Sequence, residues 1–163
     1  MIPDSRRIIS ILNEGQVEFV VIGGVAMVAH GSARATFDLD ICYGRSKENI
    51  EKVSRTLGAL HPRLRGAPQD LPFTFDAETI AAGLNFTLTT DLGDLDLLGE
   101  VSGLGFFDAV VKTSEVREVS GIACRILSLP GLIRAKRAAG RKRDLEAVEE
   151  LEGLLDLKNR TGI

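Results

Sequence analysis

Phe19-Val20-Val21-Ile22-Gly23-Gly24-Val25-Ala26, followed by Arg34-Ala35-Thr36-Phe37-Asp38-Leu39-Asp40-Ile41-Cys42-Tyr43, is the stretch that decides how this chain is read. The run from Glu18 to Ile22 is short, β-branched and apolar, which predicts a buried strand. It runs straight into two glycines and a short apolar segment, Val25 to His30, which predicts a tight turn opening a helix that Gly31 ends. Glycine allows close backbone approach, and a helix start offers free N–H groups, so Gly23 and Gly24 are candidate phosphate contacts. A tight turn with no ligand is the plainer reading of the same pair. The motif lacks the further glycines of a dinucleotide fingerprint and the Gly-Lys-Ser/Thr of a P-loop.

Thr36 to Tyr43 alternates and predicts a second strand. On a strand, Asp38, Asp40 and Cys42 share one face, and Phe37, Leu39 and Ile41 share the other, which is expected to meet the core. Two carboxylates one pleat apart repel, so at least one pKa should rise unless a cation lies between them. Hard oxygen ligands at that spacing suit Mg²⁺, although an Asp-x-Asp pair is often a plain exposed sheet face. Further on, Asp94-Leu95-Asp96-Leu97-Leu98 repeats the pattern. If that strand lies beside the first acidic strand, Asp94 or Asp96 completes a three-carboxylate cluster. Such a cluster beside a glycine turn suits two-metal phosphoryl or nucleotidyl transfer.

The remaining segments frame this centre. Asp4 or Ser5 should cap a first helix with Ile8, Ile9 and Leu12 inside and Gly15 at its end. Ser46 should cap a helix to about Leu60 that buries Ile50, Val53 and Leu57. Residues 61–72 hold three prolines and a glycine and read as a loop. Asp76 to Ala82 is a helical turn or two. Asn85 to Thr90 and Asp94 to Leu98 are strands around Asp91-Leu92-Gly93, and Val116–Val119 with Ile122–Leu127 is a hairpin around Ser120-Gly121. Ser128 caps a helix with Pro130 in its first turn and Gly140 at its end. A last helix runs from Asp144 to about Leu157. The order predicts an α/β (α+β) fold, one mixed sheet flanked by helices, with residues 1–127 as core and 128–163 as a C-terminal helical pair packed on it.

The bulk properties fit. The 163 residues carry 44% hydrophobic and 26% charged side chains and a net charge of −3, as a folded globular chain should. A slightly acidic chain has no overall pull toward nucleic acid. Cys42 and Cys124 lie in apolar runs and read as buried free thiols. No apolar h-region follows Arg6-Arg7 and no run is long enough for a bilayer, so a cytoplasmic location away from membranes is expected.

Val21-Ile22-Gly23-Gly24-Val25-Ala26, His30-Gly31 and Arg34 to Ile41 resemble the signature of the nucleotidyltransferase superfamily related to DNA polymerase beta. The Gly-Gly form with an arginine ahead of the Asp strand is similar to bacterial lincosamide and aminoglycoside nucleotidyltransferases and to the AbiEii-like toxin group. Leu129-Pro130-Gly131-Leu132-Ile133-Arg134-Ala135-Lys136 and Gly140 to Leu145 resemble the C-terminal helices of small bacterial members. The resemblance implies the nucleotidyltransferase fold over roughly residues 18–150. It implies that Asp38 and Asp40 hold two Mg²⁺ ions, with Asp96 as third ligand and general base. Gly23 and Gly24 would hold the β- and γ-phosphates of a nucleoside triphosphate, and Lys136 would reach the same group. The Ser common at the second motif position is replaced by Gly24, so backbone N–H groups must serve there.

Arg34 is a candidate counter-charge for phosphate, a structural salt bridge being the alternative. His30, at a helix end, reads as a group that satisfies carbonyls. Arg134, Lys136, Arg137, Arg141, Lys142 and Arg143 form the one strongly basic stretch. It is a solvated helix face, with Arg141 or Arg143 paired to Asp144 or Glu146, or a counter-charge for triphosphate or RNA. The expected activity is Mg²⁺-dependent transfer of a nucleoside monophosphate, AMP from ATP first, to a hydroxyl of a small molecule, RNA or protein, with release of pyrophosphate. The competing expectation is a catalytically inactive nucleotide- or protein-binding module, such as a toxin–antitoxin component. A homodimer that builds the acceptor cleft is a further expectation.

Overall fold

The computed structural model describes residues 4–162, and the statements that follow are of those residues. Helix α1 (Ser5–Glu14) starts where the Asp4 carboxylate accepts the Arg7 N–H at 3.1 Å, and it buries Ile8, Ile9 and Leu12. Strand β1 (Phe19–Ile22) is buried at every position, so both of its faces are covered. Helix α2 (Gly23–Ala29) follows with no linker. Strand β2 (Leu39–Tyr43) leads to α3 (Lys47–Gly58), whose Ser46 cap accepts the Asn49 N–H at 3.1 Å and whose inner face is Ile50, Val53 and Leu57.

A two-residue strand β3 (Arg63–Leu64) and a short helix α4 (Ala77–Ala82) precede β4 (Asn85–Thr90) and β5 (Gly93–Leu98). Two short strands, β6 (Glu100–Val101) and β7 (Gly105–Phe106), lead into α5 (Phe107–Lys112). The hairpin β8 (Ser114–Val119) and β9 (Ile122–Leu127) then hands over to α6 (Leu129–Ala139) and α7 (Lys142–Thr161), which pack against each other.

Seven strands form one mixed sheet in the order β3-β4-β5-β2-β1-β9-β8. Strand β2 is central. It runs antiparallel to β1 and parallel to β5, with Asp40 beside Asp96. The mixed sheet flanked by helices is the architecture expected from the sequence.

Several local expectations change. Strand β2 begins at Leu39, not Thr36, so the alternation does not reach Phe37, which is 66% exposed instead of facing the core. Cys42, placed by parity on the carboxylate face, is fully buried. The expected loop over residues 61–72 contains β3, whose Arg63 and Leu64 pair with Thr89 and Leu88. The β6–β7 pair and α5 were not anticipated. The last helix is longer than Asp144–Leu157, because Arg141 precedes it and Gly162, at φ +70°, ends it. Both cysteines are free and buried, and burial pushes their thiols up, to about 12 for Cys42 and about 11 for Cys124.

Candidate active site

The parallel pairing of β2 with β5 sets Asp40 next to Asp96, and Asp38 sits one residue ahead of β2. One carboxylate oxygen from each of Asp38, Asp40 and Asp96 lies within 4.8 Å of the others. Asp94 points to the same face but is engaged elsewhere. Its Oδ1 accepts the Thr89 hydroxyl at 3.0 Å, and its Oδ2 lies 3.3 Å from Arg65 Nε. Of the two acids of β5, Asp96 is the one that groups with Asp38 and Asp40.

The three acids crowd each other. Burial, then the charge and hydrogen bond of Asp96, then the charge of Asp38 push Asp40 up to about 8, against a weaker opposing pull from Lys136. Asp40 is thereby driven toward its protonated form at neutral pH. Asp96 Oδ1 is buried and has no directed hydrogen bond. Three hard oxygen donors, one of them that buried oxygen, fit a divalent cation such as Mg²⁺.

The glycines follow from the same crowding. Gly23 has φ +64°, and a Cβ there would lie 2.0 Å from Asp40 Oδ2. A Cβ on Gly24 would lie 2.6 Å from the Thr36 hydroxyl. The start of α2 thus presses against the Asp40 side chain of β2 and against Thr36 ahead of it, and a larger residue at either position requires that neighbour to move.

Arg65 is the unexpected member. It follows β3, and its guanidinium reaches Asp96 Oδ1 at 2.9 Å, Asp94 Oδ2 at 3.3 Å and Asp38 Oδ2 at 3.7 Å. No motif pointed to it, because its position depends on a strand pairing made with residues more than twenty positions away. A basic residue in a loop ahead of an acidic strand was the only signal.

Opposite the acids stands a basic wall from α6 and α7. Lys136 and Arg141 border the same cleft as Asp40 and Asp96, a space of about 290 Å³ that also touches Gly23. An adjoining space of about 350 Å³ shares Asp40, Asp96, Lys136 and Arg141 and is also lined by Gly24, Arg34, Phe37, Asp38 and Arg143. Asp144, 1% exposed at the start of α7, organises this wall. It accepts from Arg141 Nε at 2.6 Å and from Lys136 Nζ at 3.4 Å. Burial alone would raise Asp144, but the Arg141 hydrogen bond and the Lys136 charge outweigh it and hold the carboxyl below its usual range. Sequence reasoning named Asp144 only as a partner in a salt bridge and missed that it fixes Lys136 and Arg141 at the cleft.

Arg34 lines the second space and pairs with Glu150 at 3.7 Å, the salt bridge that was its alternative reading. His30 bonds the Leu127 carbonyl at 2.8 Å, the structural part expected of it. Of the basic stretch, Arg137 pairs with Glu152 and Arg134 donates to the Gly103 carbonyl at 3.1 Å, both away from the acids.

No family model matches the sequence, and no curated protein resembles it closely enough to match. Solved structures do match. A candidate nucleotidyltransferase from Thermotoga maritima superposes with a TM-score of 0.53 at 18% identity, over 96% of this chain and 91% of that one. The antibiotic-resistance factor ANT(2'')-Ia, in a crystal with adenylyl-2''-tobramycin, gives 0.55 at 14% identity over 98% of this chain and 97% of that one. An antigenic nucleotidyltransferase-like protein from Paracoccidioides brasiliensis gives 0.53 at 14%, over 96% of this chain and 78% of that one. These likenesses show that the chain has the nucleotidyltransferase fold.

Proposed function

We propose that this protein transfers a nucleoside monophosphate, most readily AMP from ATP, to a hydroxyl group and releases pyrophosphate. The observation that carries the proposal is the convergence of Asp38, Asp40 and Asp96 with Lys136 and Arg141 around one cleft, the space of about 350 Å³. Asp38 and Asp40 would hold two Mg²⁺ ions, and Asp96 would share one of them. Those ions, when bound, supply Lewis-acid charge at the α-phosphate and at the attacking and leaving oxygens. Asp96 takes the proton from the acceptor hydroxyl. The acceptor oxygen then bonds to the α-phosphorus as the bond to the bridging oxygen breaks, and pyrophosphate departs. Lys136, Arg34 and Arg143 offset the triphosphate charge, and the backbone at Gly23 and Gly24 approaches it closely. In this division residues 1–127 supply the carboxylates and Arg34, and the C-terminal helices, 128–163, supply Lys136 and Arg143. The neighbour crystallised with an adenylylated aminoglycoside makes a small polyhydroxylated molecule the first acceptor to try; an RNA end or a protein hydroxyl comes next.

The test is incubation with α-labelled NTPs and Mg²⁺ across such acceptors, comparing wild type with Asp38→Ala and Asp40→Ala. Label transfer that drops by about a thousandfold or more in both variants supports the mechanism. Transfer that survives both substitutions refutes it.

One observation favours a second reading, a non-catalytic nucleotide-binding or protein-binding module. Arg65 lodges among the acids and gives them a cation without any metal. Calorimetry beside the label assay separates them: no heat with any Mg²⁺–NTP at millimolar concentration supports a protein-binding module, and heat without label transfer supports a nucleotide-binding one.

A further inference from the structure

Arg65 belongs to no part of the mechanism just given, yet it makes more charged contacts with the acids than any other residue. Its backbone N–H donates to the Thr87 carbonyl at 2.9 Å, and its Nη2 donates to the Leu88 carbonyl at 2.7 Å. These two bonds moor the residue and its side chain to β4. The head of the side chain then meets two members of the triad, Asp96 and Asp38, and one acid outside it, Asp94.

The quality of these contacts matters. Arg65 Nε and Asp96 Oδ1 are both buried, and neither makes a hydrogen bond, although the ion-pair distances are short. The contact is one of charge without directed bonds. Such a contact gives up less on exchange than a bidentate pair. Asp94 also offers a partner that Arg65 can keep after leaving Asp96.

We propose that Arg65 is a positioning residue for the transfer reaction: a moored counter-cation that holds Asp38 and Asp96 in place and competes with a divalent ion for them until nucleotide phosphates arrive. The proposal rests on reading the cluster as a nucleotidyl-transfer centre. A guanidinium and a divalent ion cannot both sit against Asp96 Oδ1, and their mutual repulsion at a few ångströms is large in a partly buried site. Metal alone therefore binds weakly. A triphosphate brings several negative charges and its own oxygen ligands, and these offset the repulsion. Loading of metal is thereby coupled to loading of nucleotide.

The experiment is a Mn²⁺ titration of the full chain, by calorimetry and by electron paramagnetic resonance, with and without a non-hydrolysable NTP. Wild type is compared with Arg65→Gln, Arg65→Met and Arg65→Lys. The Gln and Met variants should bind Mn²⁺ alone roughly tenfold or more tightly than wild type. That gap should narrow when the nucleotide is present, and the Lys variant, which keeps the charge, should stay within about threefold of wild type. A residue that merely supported the loop would leave Mn²⁺ affinity unchanged or lower it on removal. Either result in whichever of the two neutral variants folds overturns the proposal. Tighter Mn²⁺ binding without label transfer from any NTP would remove the transfer reading and leave Arg65 as the counter-cation of a metal site. No Mn²⁺ binding by wild type or variants would remove both.

Discussion

Asp40, half-buried, and Asp144, buried, border one cleft, and they are driven in opposite directions. Asp40, among acids, is pushed up to about 8. Asp144, among cations, is held below the usual carboxylate range. Burial works against ionisation in both. The groups facing each carboxyl decide its charge, and the fold provides them from different layers: the sheet stacks Asp38 and Asp96 on Asp40, while α6 and α7 turn Lys136 and Arg141 toward Asp144. The cleft is thus polarised, acidic on its floor and basic on its wall.

The comparison breaks most sharply at Asp144. Asp144→Ala leaves Lys136 and Arg141 without their partner and removes the first-turn acid of α7. Both cations reach water, so the loss should be about 2–3 kcal/mol, below the range for a fully buried pair. In a chain of this size that lowers Tm by roughly 4–12 °C, measured by calorimetry at pH 7. The pH dependence has a definite sign. The folded pKa of Asp144 is lowered, so its contribution is present above the unfolded value near 4 and is lost as pH falls below it. The stability gap between wild type and Asp144→Ala should therefore shrink as pH falls below that value and through the lowered folded one.

Gly23→Ala tests how closely the acidic floor is packed. It sets a methyl group against Asp40 Oδ2 at a positive φ, and should cost about 1–3 kcal/mol. It should also weaken Mn²⁺ binding, because Asp40 must turn aside.

Asp40→Asn acts with the opposite sign. The Asp40 pKa is raised on folding, so wild-type stability in the absence of metal falls as pH rises between about 4 and about 8. The Asn variant should match wild type near pH 4 and exceed it by a few degrees in Tm above pH 8. A variant less stable than wild type at pH 9 would show that the acids do not repel as described. Lys136→Met should have the smallest effect on stability, under about 1 kcal/mol, because Asp144 keeps Arg141. It should also shift the Asp40 titration upward, since Lys136 is the cation that pulls Asp40 down.

What was legible in the sequence was local. Ile22-Gly23-Gly24 and Asp38-Leu39-Asp40 are each written within a few residues, and alternation on β5 marks Asp94 and Asp96 as face-sharing. Register then separated those two, which no single strand can do. Phe37 was misplaced because parity holds only inside a strand, and β2 starts two residues later. Arg65 was invisible for a different reason. Its strand has two residues amid prolines and exists only because β4 pairs with it. Asp144 looked like an ordinary helix-start acid, and its burial depends on α6 packing over it.

The contact between Gly23 and Asp40 has a consequence for how such a chain can change over generations. A side chain at position 23 collides with the carboxylate at position 40, whereas a smaller residue at 40 collides with nothing at 23. The two positions are ordered: 40 can vary first, and only then does 23 gain room, still restrained by its positive φ. A descendant that had abandoned chemistry would carry its first scar on the strand, and its glycine turn would outlast the acid that explains it.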